Sequence, residues 1–470
     1  MKNFSIFLAF LFFYVYSKAQ SEWSLKRCIE HALQNNISIK KGKLNNIQNR
    51  INLEQSKEAL YPSLSANVTQ SYNWGRNINP VNNTYIEQAV RSNQFGVGTY
   101  ITLFNGLQNI NTVKQNQINI EAGSKELEVI ENNISLQVAT QFLQILLFAE
   151  SVKIAQNTIE STKKQLETSR IQYDAGNLAK NFVMELEAKL SSDNLELVNS
   201  QNNYNLALIT LANLLQIENP ENFRIEKPEV KIPDEIIEES IESIYQKAST
   251  TRPEIELSKL RYKSSQIQKQ IAKGGYYPTL SLNANLGTLV SNNFKEYYNP
   301  QTQYIPFGIV QNTNETVLIP NVTYETRKRN FSKQLNDNLG KSIMLNLSIP
   351  IYSNGRNKNT VKQAEILSEN SKLDLQQMQN ELYSSISVSM ANYKASLAKY
   401  KALEDAFVSQ KNNNDFNKQR YESGTISSSD FILSQKNYDA ALSRLAQGKY
   451  ELVFRKILLD FYRGKQLEIN

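Results

Sequence analysis

The segment Tyr61-Pro62-Ser63-Leu64-Ser65-Ala66-Asn67 returns 216 residues later as Tyr277-Pro278-Thr279-Leu280-Ser281-Leu282-Asn283. In both, a Tyr-Pro start is followed by apolar side chains alternating with small polar ones, the period of two that gives a strand one apolar face. The repetition continues outward. Asn105-Gly106 followed by Thr112-Val113-Lys114-Gln115 returns as Asn354-Gly355 followed by Thr360-Val361-Lys362-Gln363, offset by 249 and then 248, and Tyr173-Asp174-Ala175-Gly176 returns as Tyr421-Glu422-Ser423-Gly424, again offset by 248. The chain is written twice, and the growth in offset places an insertion of about 33 residues between the first two landmarks of the second copy.

Each copy follows one plan. A helical segment, Ser24 to Leu60 or about Glu238 to Lys273, leads into a pair of strands. In the first copy Leu64, Ala66 and Val68 are answered by a return strand in which Phe95, Val97, Thr99, Ile101 and Leu103 alternate with Gly96, Gly98, Tyr100 and Thr102. In the second, Leu280, Leu282, Ala284 and Leu286 are answered by Ile343, Leu345, Leu347, Ile349 and Ile351. Tyr61, Tyr72, Trp74, Phe104, Tyr276, Tyr277 and Tyr352 stand near the strand ends. The apolar face either packs on a soluble core or meets lipid between aromatic girdles, and strands of about ten residues have the length of membrane-barrel strands. The connections Asn73 to Gln94 and Thr288 to Lys341 read as long polar loops.

After each strand pair comes a run with apolar residues three or four apart: Leu127, Ile130, Ile134, Val138, Phe142 and Ile145 in one copy, Leu375, Met378, Leu382, Ile386, Met390 and Tyr393 in the other. The first run, from Gln108 to Tyr173, is a helix of about 100 Å at 1.5 Å per residue. Each long helix is expected to stop at the glycine of its Tyr-x-x-Gly motif, Gly176 or Gly424, and to be followed by a returning helix, Phe182 to Leu215 or Phe431 to Tyr462. The organisation expected is a signal peptide over 1–19, a first repeat over 20–218, a linker over 219–236 that packs on the outside of the helices, and a second repeat over 237–470 carrying the long loop 289–341.

Lys2 precedes the apolar run Phe4 to Tyr16, with Ser17 and Ala19 where a signal peptidase cuts, so the mature chain is expected to begin at Gln20. The run is shorter than a helical membrane span, which favours export over a retained anchor. Of 470 residues only 16 are Gly and 11 Pro, which favours long uninterrupted helices. Lysines and arginines number 52 against 45 acids, and the excess is spread along the chain without the basic block that nucleic-acid binding needs. Cys28 is the one cysteine, read as a small buried apolar residue.

An enzyme is not indicated. His31 is the sole histidine and has no second histidine or cysteine pair for a metal site. Gly96-x-Gly98 lacks the third glycine and the helix of a dinucleotide fingerprint, and Glu238 with Glu239 is an ordinary solvated pair. Neither cofactor nor metal is expected.

The opening Trp23-Ser24-Leu25 with Ala32-Leu33-Gln34-Asn35-Asn36, the two Tyr-Pro strand starts, Leu103-Phe104-Asn105-Gly106, Ile349-Pro350-Ile351-Tyr352-Ser353-Asn354-Gly355 and the two Tyr-x-x-Gly turns resemble the TolC-like outer-membrane efflux proteins, in this order and over nearly the whole mature chain. The resemblance implies a mainly α fold with a small β-barrel portion: long antiparallel helical hairpins forming an α-barrel, plus four transmembrane strands per chain in a homotrimer. It further implies an outer-membrane exit duct that extends into the periplasm and works passively with a periplasmic adaptor and an inner-membrane pump. The rival is a periplasmic coiled-coil or adaptor-like protein without membrane strands. In the family the Tyr-x-x-Gly turns form an iris where the adaptor docks, which points here to Tyr173, Gly176, Asn181, Phe182, Tyr421, Gly424, Ile426, Asp430 and Leu433. Asp430 sits at an acidic position of the family and either rings the constriction or, with Ser428 and Ser429, caps the returning helix. Ile426 and Leu433 depart from the basic and acidic residues expected there, and Phe182 matches Asp430 in the first copy, which suggests a constriction closed more by apolar contact than by salt links.

Overall fold

The computed structural model describes residues 22–78, 83–87, 89–233, 237–465 and 467. The signal peptide and the start at Gln20 lie outside the described residues. The helices come in pairs of equal length, one member from each copy. They are α1 (Leu25–Asn35) and α5 (Ile241–Thr251) with 11 residues each, α2 (Ile37–Glu58) and α6 (Pro253–Gly274) with 22, α3 (Gln108–Asp174) and α8 (Arg356–Glu422) with 67, and α4 (Lys180–Leu214) and α9 (Ser428–Tyr462) with 35. The short α7 (Phe331–Asp337) has no partner in this series. The segment expected to run as one helix from Ser24 to Leu60 breaks at Asn36, whose side-chain oxygen accepts from the Ser38 amide while its amide group donates to the Leu214 carbonyl. Its counterpart breaks at Arg252, held extended by the following proline.

Two compact units emerge, and each draws on both copies. One comprises the chain through Arg50, Ile118–Lys263 and Glu369 onward; the other comprises Ile51–Gln117 and Ser264–Ser368.

The first unit is helical. Its larger core joins Cys28 and Ala32 of α1, Val138, Phe142 and Ile145 of α3, Leu211 of α4 and Leu215 just beyond it. The segment after α4 is non-helical apart from a turn at Pro220–Asn222, but it does more than pack outside. Trp23 and Ile225 form a parallel bridge, and Phe223, Ile225 and Val230 are core residues. A second core gathers Ile244, Ile255, Ile386, Tyr393, Leu452 and Leu459. Among the described residues α3 alone has a window apolar enough to cross a bilayer as a helix. Within it Val138, Ala139, Phe142, Leu143, Ile145 and Leu146 are buried in the protein's own core, one apolar face of the helix.

The second unit carries the strands β1 (Ser63–Asn73), β2 (Arg76–Ile78), β3 (Tyr85–Glu87), β4 (Val90–Asn105), β5 (Thr279–Ser291), β6 (Lys295–Ile309), β7 (Thr316–Lys328) and β8 (Gly340–Ser348). The two expected strand pairs join into one antiparallel sheet in the order β1-β4-β5-β8. Three expectations are corrected. Leu103 is not part of the alternation: the register slips between Thr102 and Phe104, so Phe104 rather than Leu103 pairs with Leu280. The last strand stops at Ser348 instead of reaching Ile351, because Pro350 brings no amide donor. The stretch 289–341 is not a plain loop, since β6 and β7 form a long two-stranded ribbon and α7 follows it.

Phe142 is fully buried at the centre of the larger core. Phe142→Ala is therefore expected to destabilise the fold by about 3–5 kcal/mol, measured by urea unfolding followed by circular dichroism.

Candidate functional site

Two surfaces can act on something outside the chain: the sheet and the helical turns. In the sheet the register sorts the side chains by face. Leu64, Thr99, Ala284 and Ile343 lie in one row across the four strands, with Ala66, Val97, Leu286 and, at the sheet's end, Lys341 beside them and Ile101, Leu282 and Leu345 in the next row. The opposite face carries Ser65, Gly98, Asn285 and Ser342 in one row and Asn67 and Gly96 in the next. An alanine-sized group at Gly96 would collide with Asn67 Oδ1 at 2.7 Å, so glycine here makes room for the polar row. The apolar face is bare: Leu64 is 77% exposed, Val68 70% and Ile343 79%. Among the described residues nothing pairs with the outer edges of β1 and β8. A sheet with one bare apolar face, one largely polar face and two unpaired edges has the side-chain pattern of membrane-barrel strands.

The turns belong to the helical unit. After α3, Gly176 adopts φ +76°, its amide donates to the Tyr173 carbonyl and the Asn177 amide to the Gln172 carbonyl. After α8, Gly424 does the same, with the Gly424 amide on Tyr421 and the Thr425 amide on Arg420. This is the double hydrogen bond that ends a helix on a left-handed residue. Both glycines have open space where a Cβ would sit, so the dihedral alone demands them.

The two copies then diverge. The N-cap of α9 is Ser427, whose Oγ accepts from the Asp430 amide at 3.1 Å and donates to Asp430 Oδ2 at 2.7 Å. Ser427 is thus a side-chain N-cap whose hydroxyl is itself held by the Asp430 carboxylate, while Ser428 and Ser429 are engaged elsewhere, both hydroxyls donating to Glu185 of α4 at 2.9 and 3.2 Å. The N-cap of α4 is Ala179, with no side-chain bond. Tyr421 stacks on Phe431 with ring centroids 5.0 Å apart, and its hydroxyl lies 3.2 Å from Ser169 Oγ of α3. Leu166, Val183 and Leu186 form a small core against which Leu190 and Ile432 pack.

Of the residues singled out in the sequence, Tyr421, Gly424 and Asp430 thus take defined parts in the second turn. Tyr173, Gly176 and Asn181 are exposed at the first, Phe182 and Ile426 are half-buried, and Leu433 is exposed. Sequence reasoning missed Ser169, Glu185 and Phe431. For Glu185 a signal existed: the offset of 248 carries Leu433, the position lacking its expected acid, onto Glu185.

Behind the turns lies a half-buried polar knot. Lys189 and Asp193 of α4 pair at 3.2 Å, Asp439 of α9 lies 3.8 Å from the same ammonium, Thr162 Oγ1 donates to Asp193 at 2.6 Å and Thr158 Oγ1 to Asp439 at 3.4 Å. Burial pushes the Asp439 carboxyl above its ordinary value, and Asp193 adds to this against the pull of Lys189 and Thr158. His31 is part of the core edge, edge-on to Trp23 at 5.0 Å and bonded to Asn35. Among the described residues no three His, Cys, Asp or Glu side chains converge as a metal site would require.

A sheet with a bare apolar face, joined to helices of 67 residues, has the features of an outer-membrane channel protein. The sequence matches the family described as outer membrane efflux protein over residues 28–215 and 244–464, and the chain belongs to that family. It is therefore a passive outer-membrane efflux duct and not an enzyme. It is 20% identical to the outer membrane protein TolC of Salmonella enteritidis over 426 residues, 88% of this chain and 76% of that one. Its fold is similar to that of VceC from Vibrio cholerae, at a TM-score of 0.75 and 15% identity over 94% of this chain and 97% of that one. The same holds for CusC, at a TM-score of 0.75 and 16% identity over 94% and 92%.

Two outcomes follow. Gly424→Ala places a Cβ in the left-handed region and is expected to cost about 1–2 kcal/mol, seen as faster amide exchange in the last turn of α8. The folded chain also holds the Asp439 proton more tightly than the unfolded chain, so this group weakens the fold as pH rises from about 4 through its raised pKa. Asp439→Asn is expected to raise the denaturant midpoint at neutral pH and leave it unchanged below the carboxylate range.

Proposed function

We propose that three copies close the four-stranded sheets into one twelve-stranded barrel in the outer membrane. The carrying observation is the pair of bare edges. Within a bilayer every backbone donor and acceptor must be paired, so β1 and β8 cannot end in lipid. The strands alternate in direction along β1-β4-β5-β8, so β8 of one copy meets β1 of the next antiparallel, and the ring continues without a fault. Eight strands, from two copies, would leave an interior that side chains fill. Twelve are the next number available and leave a lumen lined by the Ser, Asn and Gly face.

The helices support the same reading. On α4, Met184, Leu195 and Leu206 are exposed at steps of eleven residues, and so are Val198 and Ile209. An eleven-residue repeat keeps an apolar stripe nearly parallel to the helix axis, as side-by-side packing between copies requires.

In this reading the Tyr-x-x-Gly turns form the periplasmic iris. The second turn is held by the Tyr421–Phe431 stack, the Tyr421–Ser169 contact and the two serine bonds to Glu185. Asp430, exposed beyond its capping role, would form a threefold acidic ring, and Ile426 and Leu433 supply apolar contact around it. A periplasmic adaptor docks at the turns, and an inner-membrane pump supplies the energy.

Fractionation tests the assembly: the protein is expected in the outer membrane as an SDS-resistant trimer, and recovery from the soluble periplasm as a monomer would overturn the reading. For the iris, Asp430→Ala is expected to reduce cation selectivity in planar-bilayer recordings; unchanged selectivity and leakage would dismiss the acidic ring.

A further inference from the structure

The insertion that sets the second copy apart is a ribbon. Strands β6 and β7 span Lys295–Lys328, 34 residues, close to the excess read from the shifting offset. The ribbon begins four residues after β5 ends, at the end of the sheet away from α6 and α8. Its root is well held. Asn338 and Thr288 bond to the Leu289 and Leu335 carbonyls, Gln334 Oε1 accepts from the Ser291 amide, and Phe331 of α7 meets Phe95 of β4 edge-on. Beyond the root almost every residue of both strands is exposed, although an isolated two-stranded ribbon is marginal in water.

Chemistry divides the ribbon lengthwise. Lys295, Glu296, Glu325, Arg327 and Lys328 sit at the root, whereas from Asn299 to Tyr324 the one charged side chain is Glu315. From Tyr304 to Ile309 and Val317 to Pro320 the ribbon is apolar on both faces, whereas Gln301, Gln303, Asn321 and Thr323 make the stretch nearer the root polar on one of them. Ile305 stands opposite Ile319 on one, and Pro306 opposite Leu318 with Tyr304 opposite Pro320 on the other. Phe307, looped out between Pro306 and Gly308, is 74% exposed.

We propose that the outer parts of the β6–β7 ribbons from neighbouring copies pack on one another and form an apolar collar around the outer mouth of the barrel. The inference rests on the ring of copies proposed above. In a closed ring each copy has two neighbours, one on either side, which matches a ribbon with two apolar faces. Identical copies carry identical charges, so a segment that meets its own kind is best left uncharged, as this one is. The ribbon is inserted between β5 and β8, and β8 is the edge that meets the next copy. A lipid surface would instead ask for one apolar face with lysine or arginine along the other, and here the basic groups stop at the root. Apolar surface of this extent, uncovered at the cell exterior, would promote aggregation.

The test uses the full-length protein in cells. Native Cys28 is fully buried and its thiol pKa is pushed up to about 12, so it does not compete for labelling. Phe307→Cys and, separately, Ile309→Cys are treated with a short bis-maleimide. Covalent dimers are expected for both, and replacing residues 301–323 by an Asn-Gly turn is expected to raise single-channel conductance while the SDS-resistant trimer persists. Trimer present but no cross-link at either position would overturn the collar. So would quenching of a Phe307→Trp variant by brominated phosphatidylcholine in reconstituted vesicles, which would place the ribbon in lipid. Loss of the trimer in the unaltered protein would instead overturn the duct assembly on which the collar depends.

Discussion

Backbone hydrogen bonding in the absence of water constrains everything else in this molecule. A four-stranded sheet with Leu64, Val68 and Ile343 bare on one face is insoluble as it stands, and lipid satisfies those side chains but not the edges of β1 and β8. In the proposed ring of copies one requirement, that no edge remain, links the apolar row Leu64-Thr99-Ala284-Ile343 to its neighbours. The polar row beneath it would gain its role from the same proposed closure. Only in a barrel does a face of serine, asparagine and glycine look onto enclosed water.

The sequence made the sheet legible because each strand there has two different environments, and a period of two records them. The long helices were legible for a similar reason, one stripe in and one out, with a glycine where the left-handed turn demands it. Where an element has the same surroundings on both sides, no period is written. Strands β6 and β7 are exposed on both faces and contain Pro300, Pro306 and Pro320, tolerated because both strands of a ribbon are edges. Composition alone therefore reads them as loop. The bulge at Leu103 was hidden by chemistry, since Leu103 and Phe104 are both apolar and either could continue the alternation.

The turn contacts were illegible for another reason. Ser428 and Ser429 reach Glu185, 243 and 244 residues away, and Tyr421 reaches Ser169 over 252. No local pattern encodes such pairs. The duplication partly substitutes for one, because an offset of 248 lays α9 over α4 and shows that an acid absent from one copy is present at the matching place in the other.

That complementarity explains what duplication contributes beyond length. The copies keep equal helices, 67 and 35 residues in each, but the positions that meet on α4 and α9 are not equivalent: an offset of 248 carries Ser428 and Ser429 onto Lys180 and Asn181, whereas both serines bond to Glu185. Divergence between the copies therefore gives each returning helix its own partners. Glu185 on one side meets Ser428 and Ser429 on the other, and Lys189 on α4 stands between Asp193 of its own helix and Asp439 of α9. Two acids share one half-buried ammonium there, so one carboxylate is partly uncompensated. The Ser427 cap, held by the Asp430 carboxylate, strengthens the start of α9, while Ala179 leaves the start of α4 without a side-chain cap. The same backbone plan thus carries one returning helix whose start is capped by a serine and another whose start has no side-chain cap.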